Sequence, residues 1–313
     1  MSITIIPYDT NWPVLFAQEA ETLYAIFGDL VVDIHHIGST AIPGMQAKPV
    51  IDMLPVVKDI TQVENYTQQM KAAGCMPKGE YGIPFRCYFQ KENAGIRTHN
   101  IHIYESGNPE IARHIAFRDY MRSHSEEAQA YGALKQQLAA IFPDDMMAYC
   151  NGKDDFICDI DHKAGCSDVR IMQACTKREW EHYHRIVKEA IFDRTNIAYD
   201  PNHPTLCDPH YTHFVLLKGM IIIGVVVIEF LGKSDAILRI IAIDADYRNQ
   251  SLGTGAIPII ECWLQHQGKH RIFLHANPKA VSFYQRHGYK HMPFPNGDVS
   301  MFSDAVDMGK FIK

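Results

Sequence analysis

The sequence predicts an α/β (α+β) protein of two domains, and three observations lead there. Its 313 residues exceed what one ordinary domain uses. Strand-type runs alternate with helical apolar spacing in both halves. A polar stretch over residues 151–168 then precedes a fresh strand pattern at Val169, Arg170, Ile171 and Met172. The boundary is placed within residues 163–167, giving domains 1–165 and 166–313.

In chain order, residues 13–27 show helical apolar spacing after the turn at Asn11 and Trp12. Residues 31–37, 50–57 and 97–104 read as strands. Residues 111–122 and 126–142 are rich in helix formers and read as long helices. In the second half a strand at 169 is followed by a helix over 177–192. A hairpin comes next, with strands at 214–217 and 221–231. Residues 236–243 form another strand, and a helix starts near Ser251.

Composition excludes several classes. A 47% hydrophobic and 21% charged chain is ordinary for globular protein. A net charge of −6 offers no clear nucleic-acid surface. No apolar run reaches membrane-spanning length, and the start of the chain lacks a basic signal region, so no membrane partner is expected. Eight scattered cysteines without a C-x-x-C pair or zinc-type spacing fit core thiols in a reducing cytoplasm.

The richest stretch is Arg248, Asn249, Gln250, Ser251, Leu252, Gly253, Thr254 and Gly255, between a strand and a helix start. Unpaired N–H groups and the dipole at a helix start favour an anion, and small residues let a diphosphate approach the main chain. Downstream stand Asn277, Ala280, Phe283, Tyr284, Gly288 and Tyr289. The two segments together resemble the GNAT family of acyl-CoA-dependent N-acyltransferases. That family's loop reads Q/R-x-x-G-x-G/A, and its later segment N-x-x-A-x-x-F-Y-x-x-x-G-F/Y. Arg248 and Gly253 fit the first pattern and all six downstream residues fit the second. Ser251 departs from a usual glycine, as a small residue able to cap a helix.

The resemblance implies a splayed sheet with helices and acetyl-CoA as the acyl donor. Main-chain groups of Ile241 and Ile243, with Ala242 between them, would pair with the pantetheine arm. The loop from Arg248 to Thr254 would hold the diphosphate. Tyr284 would be the acid that protonates the leaving thiolate, and Phe283 a core residue. Asn277 would contact the cofactor, or would cap the helix that follows, the commoner use of such an asparagine. An amine must lose a proton before attack, so a carboxylate base is sought. Glu229, in an apolar strand, is the first candidate, with an exposed strand end as the equal alternative; His213 and Asp208 are reserves. Pro258 implies a kink or a shifted helix start. The amine acceptor, small molecule or protein, would lie between segments 196–211 and 292–303.

In the first half His36, Gly38, Ser39, Pro43 and Gly44 are followed by Lys48, Pro49 and Asp52, then by Gly82, Pro84, Arg97, His99, Asn100 and His102, and by His114, Arg118, Asp119 and Arg122. These segments resemble the GrpB family over most of residues 1–160. The resemblance implies a nucleotidyltransferase-like mixed sheet with helices, Gly38 and Ser39 beside a phosphate, and a nucleotide with magnesium held by Asp52. Lys48, Arg86, Lys91, Arg97, His99 and His102 offer positive charge or hydrogen bonds to an anion. Leu54 stands where a second carboxylate would share the strand face, leaving Asp33 or Glu80 to compensate. The leading expectation is an acetyltransferase fused to a nucleotide- or anion-binding domain. The others are a nucleotidyltransferase with a CoA-sensing module and a non-catalytic pair of binding domains.

Overall fold

In the computed structural model, residues 3–195, 197–295, 297–300 and 302–312 are described. The chain divides into two compact units between Asp168 and Val169. Among the described residues no helix is long and apolar enough to cross a membrane.

The first unit is built on a five-stranded mixed sheet of order β1-β2-β5-β4-β3. Helix α1 (Trp12–Phe27) precedes β1 (Val31–Ile37) and β2 (Ile51–Val57). After α2 (Thr67–Ala72) come β3 (Cys75–Pro77), β4 (Cys87–Asn93) and β5 (Ile96–Glu105). Four helices close the unit: α3 (Pro109–Ser123), α4 (Ser125–Ile141), α5 (Met146–Asn151) and α6 (Asp154–Lys163). Leu23 and Phe27 of α1 pack on Met53, Ile101 and Ile103. On the opposite face Leu54, Val56 and Tyr104 meet Ile37 and Ile111. Because side chains alternate along a strand, Asp52 shares that second face with Leu54. The polar stretch after residue 150, read from sequence as turn-rich, contains α6: Asp154 and Asp155 stand in its first turn and Lys163 in its last, as the helix dipole favours.

The second unit is a seven-stranded sheet of order β11-β12-β10-β9-β8-β7-β6. It runs β6 (Val169–Gln173), α7 (Lys177–Ala190), β7 (Tyr211–Lys218), β8 (Ile221–Leu231) and β9 (Asp235–Ile243). It continues through α8 (Leu252–His266), β10 (Arg271–Ala276), α9 (Val281–Arg286), β11 (Lys290–His291) and β12 (Val306–Phe311). A capping box of Thr176 and Glu179 opens α7. Its Tyr183, Ile186 and Val187 pack on Val215, Val225, Val227 and Ala242. Trp263 of α8 meets Phe214 and Phe230.

Strands β9 and β10 are parallel and pair only from Asp235/Arg271 to Ile237/Phe273. Beyond Ile237, β9 stays on β8 as far as Ile243, while β10 stays on β12 as far as Ala276. The sheet therefore splays. A bulge where Val227 opposes Ile240 and Ile228 opposes Leu238 leaves Arg239 as the extra residue, and such a bulge bends its strand at this point.

Candidate functional sites

The splay opens a cleft of about 780 Å³ lined by Ile241, Ile243, the loop around Arg248, and Tyr284. Of the loop, Arg248, Asn249, Ser251, Leu252, Gly253 and Thr254 line it, joined by Tyr247, Lys279, Ala280 and Phe283, which the sequence reading had not placed there. Three expected cofactor residues do not line it. Ala242 points to the opposite face and is buried against α7, the consequence of strand alternation. The side chain of Gln250 is exposed and does not line the cleft. Asn277 accepts the Lys279 N–H at 3.0 Å, the capping role.

The loop conformation explains the residue types. Asn249 and Ser251 both lie in the left-handed region, at φ of 62° and 59°. That conformation costs roughly 1–2 kcal/mol in a residue with a Cβ, which is why a glycine suits position 251. Ser251 makes no side-chain cap; helix α8 starts one residue later, at Leu252, and carries Pro258 inside it. The Arg248 guanidinium folds back, Nε donating to the Ile243 carbonyl at 3.0 Å. Asp244, at the end of β9, is ion-paired to Arg185 at 2.5 Å. Burial pushes the Asp244 carboxyl up, but Arg185 and the Asp246 N–H outweigh it and hold it below its ordinary value.

Tyr284 is half-buried, its ring beside those of Phe283 and Tyr289. Burial pushes its hydroxyl up to about 12, so it is protonated at neutral pH. The candidate bases fare differently. Glu229 receives Arg239 Nε at 2.6 Å, and the Tyr211 hydroxyl lies against the same carboxylate. Glu229 does not line the cleft; it sits opposite Ile237, where the splay begins. His213 Nε2 faces the Thr205 carbonyl at 2.9 Å and must carry hydrogen, leaving Nδ1 to accept from the Tyr183 hydroxyl at 2.8 Å. That buried ring is neutral and structural. Asp208 is turned to His210, accepting its backbone N–H and meeting its ring, each at 2.9 Å.

Of the expected acceptor walls, Tyr199 bonds His184 at 2.5 Å, and Asp298 is held by Arg239 and by His275 at 3.3 Å. Asn196, Asn296 and Met301 lie outside the described residues.

In the first unit, Gly38 has φ +68° and stands so close to Asp52 that a Cβ would come within 2.3 Å of its carboxylate. Asp52 accepts from Asn100 at 2.8 Å and faces His102 at 3.9 Å. Burial raises its pKa, but His102, Asn100 and Lys48 together hold it below the ordinary value. No group of three His, Cys, Asp or Glu able to hold a metal exists among the described residues. Leu54 is core, Asp33 is turned to the Ile34 N–H and to His35, and Glu80 accepts from the Phe85 N–H. The donor set around Asp52 does not fit magnesium.

Three expected anion ligands are occupied elsewhere. Arg86 is buried and donates to the Glu80 and Tyr81 carbonyls, with Nη1 against His102. His99 is buried beside Thr98, and burial lowers its pKa. Lys91 pairs with Glu19 at 2.6 Å. His102, also lowered chiefly by burial, lies between Arg86 and Asp52. Arg97 is exposed. Ser39 and Lys48 share their neighbourhood with two lysines missed from sequence, Lys135 and Lys153; Lys135 Nζ donates to Ser39 Oγ at 2.8 Å. Lys135 arrives from a helix nearly a hundred residues on, so only tertiary structure reveals it.

The sequence model of the GrpB protein family matches residues 2–163, and that of the acetyltransferase (GNAT) family matches residues 171–289. The UPF0157 protein YqkA of Bacillus subtilis is 51% identical over 155 residues, 50% of this chain and 45% of its own length. The chain thus spans less than half of that relative. The glutamate-rich protein GrpB of Alkalihalophilus pseudofirmus is 34% identical over 163 residues, 50% of this chain and 93% of its own. The crystal structure of the conserved protein GrpB from Enterococcus faecalis matches with a TM-score of 0.50 at 38% identity, covering 51% of this chain and 96% of its own. The chain belongs to the GrpB family and carries, after its GrpB domain, a domain of the acetyltransferase (GNAT) family.

Proposed function

We propose that the second unit transfers an acetyl group from acetyl-CoA to an amine. The observation that carries this reading is the splay between β9 and β10, with Ile241, Ile243, the loop from Tyr247 to Thr254 and Tyr284 around one cleft. The edge of β9 beyond Ile237 has main-chain groups that β10 does not take, suited to the amides of a pantetheine arm. Loop N–H groups at the start of α8 suit the diphosphate, and Arg248 and Lys279 add positive charge.

In the reaction the amine nitrogen bonds to the thioester carbon, the C–S bond breaks, and the sulfur leaves with its electron pair. A thiol has a pKa of roughly 8.5, well below the value of about 12 for Tyr284. Proton transfer from Tyr284 therefore runs uphill, and its main contribution is a hydrogen bond to the developing thiolate, with water completing protonation. Among the described residues no carboxylate or histidine lines the cleft, and in this reading the amine gives its proton to water or arrives neutral.

Thiol release from acetyl-CoA across a panel of amines tests the reading. Saturable, amine-dependent release supports it, and Tyr284→Phe should lower kcat on the order of tenfold, the value of one hydrogen bond to a charged group. Binding of acetyl-CoA without turnover on any amine would leave a CoA-sensing module, and no binding would overturn the assignment.

A further inference from the structure

On the far face of the splay a polar bridge ties its two lips together, and its role rests on the transferase reading of the cleft. Strands β9 and β10 part after the Ile237/Phe273 pair, so Arg239 and His275, two residues further on, are the next same-face residues on either lip. That face is turned to α7: Arg239 lies on Glu229, which is two residues from Val227, a contact of α7. Neither Arg239 nor His275 lines the cleft, which opens on the other face at Ile241 and Ile243.

The carboxylate of Asp298, from the segment between β11 and β12, spans the lips. It accepts from Arg239 on β9 and faces His275 Nε2 on β10 at 3.3 Å. Phe294 anchors the same segment: it is 7% exposed, forms one cluster with Ile237 and Phe273, and stacks on the His275 ring at 4.1 Å. Asp307, opposite His275 on β12, lies 2.9 Å from its Nδ1 and fixes the ring. Burial raises the Asp298 carboxyl, but Arg239 and His275 outweigh it and hold it below its ordinary value.

Each lip carries one half of the reaction. The β9 edge beyond Ile237 would hold the pantetheine arm, while β10 leads through Ala276 and a short turn into α9, which carries Tyr284. The reach of Tyr284 to the sulfur therefore depends on how far apart the lips stand. A misplacement of about 1 Å costs up to a hundredfold in rate. We propose that Asp298 is a positioning residue of the transferase: held by Arg239 on β9 and His275 on β10, it fixes the width of the splay and so the distance from Tyr284 to the thioester sulfur.

The test is thiol release by Asp298→Asn and His275→Gln, each alone and combined with Tyr284→Phe. An effect exerted through Tyr284 is limited to what Tyr284→Phe itself costs, so each variant should lower kcat about three- to tenfold. In the Tyr284→Phe background each should lower it further by less than about twofold. Coenzyme A affinity, read by calorimetry, should stay within about threefold, because the loop at α8 and the β9 edge are untouched. The ligand-free chain gives a second readout: hydrogen exchange over residues 271–276 should quicken in both variants. His275→Gln carries the decision if loss of the Asp298 charge unfolds the unit. Losses that multiply with that of Tyr284→Phe, or exchange that stays unchanged, overturn the proposal while leaving the transferase reading intact. A parent protein that turns over no amine overturns both.

Discussion

Arg239 Nε donates to the Glu229 carboxylate at 2.6 Å, and the same guanidinium reaches Asp298. Arg239 is the bulged residue of β9, so the bend that starts the splay also aims this side chain. Glu229 is thereby a structural anion at the root of the cleft rather than a proton acceptor for an amine.

From this pairing follows the first prediction. Glu229→Gln keeps the shape of the pair and should leave kcat within about threefold of the parent, whereas loss of a general base would cost about a hundredfold or more. Arg239→Met strands the carboxylates and should destabilise the second unit by about 2 kcal/mol, read from the shift of its calorimetric transition.

Ser251 sits at φ 59° where a glycine would be unstrained. Ser251→Gly should raise the stability of the second unit by about 1 kcal/mol, less the entropy a glycine loses on folding. Calorimetry decides: a destabilised variant would mean that the hydroxyl makes a compensating contact.

Gly38 faces the opposite constraint. Its positive φ and the 2.3 Å approach of the Asp52 carboxylate to any Cβ leave no room for a side chain. Gly38→Ala should cost the first unit about 3 kcal/mol, with the transition of the second unit unmoved.

His36 is 9% exposed, stacked on Phe16 and bonded to Thr40, and burial lowers its pKa to about 4. The unfolded chain takes this proton first as pH falls, at about 6.5. The stability contributed by neutral His36 is therefore whole above pH 6.5 and is lost on descending towards pH 4. About 3 kcal/mol of stability of the first unit should disappear across that window. His36→Gln should flatten this part of the stability curve; an unchanged slope would assign the acid sensitivity to other groups.

Most strands and long helices were legible in sequence because period-2 and period-3.6 apolar patterns follow directly from which face is buried. The strand over residues 31–37 and the helix opening at residue 177 emerge at those positions. Helix α6 was not legible: most of its residues are polar or charged, and its buried Ile160 and half-buried Phe156 pack with residues of α3 and α4, a contact invisible locally.

The sites divide along the same line. The resemblance to the GNAT family was enough to pair the loop at Arg248 with the segment at Tyr284, because each motif is local and is read in the sequence directly. Which loop residues face the cleft, that Ala242 and Asn277 do not, and that Glu229 is neutralised by Arg239 were decided by strand register and one bulge. The meeting of Lys135 with Ser39 was likewise decided only by tertiary packing. Charge is written in the sequence, but its partner, or the lack of one, depends on distances that the folded chain alone sets.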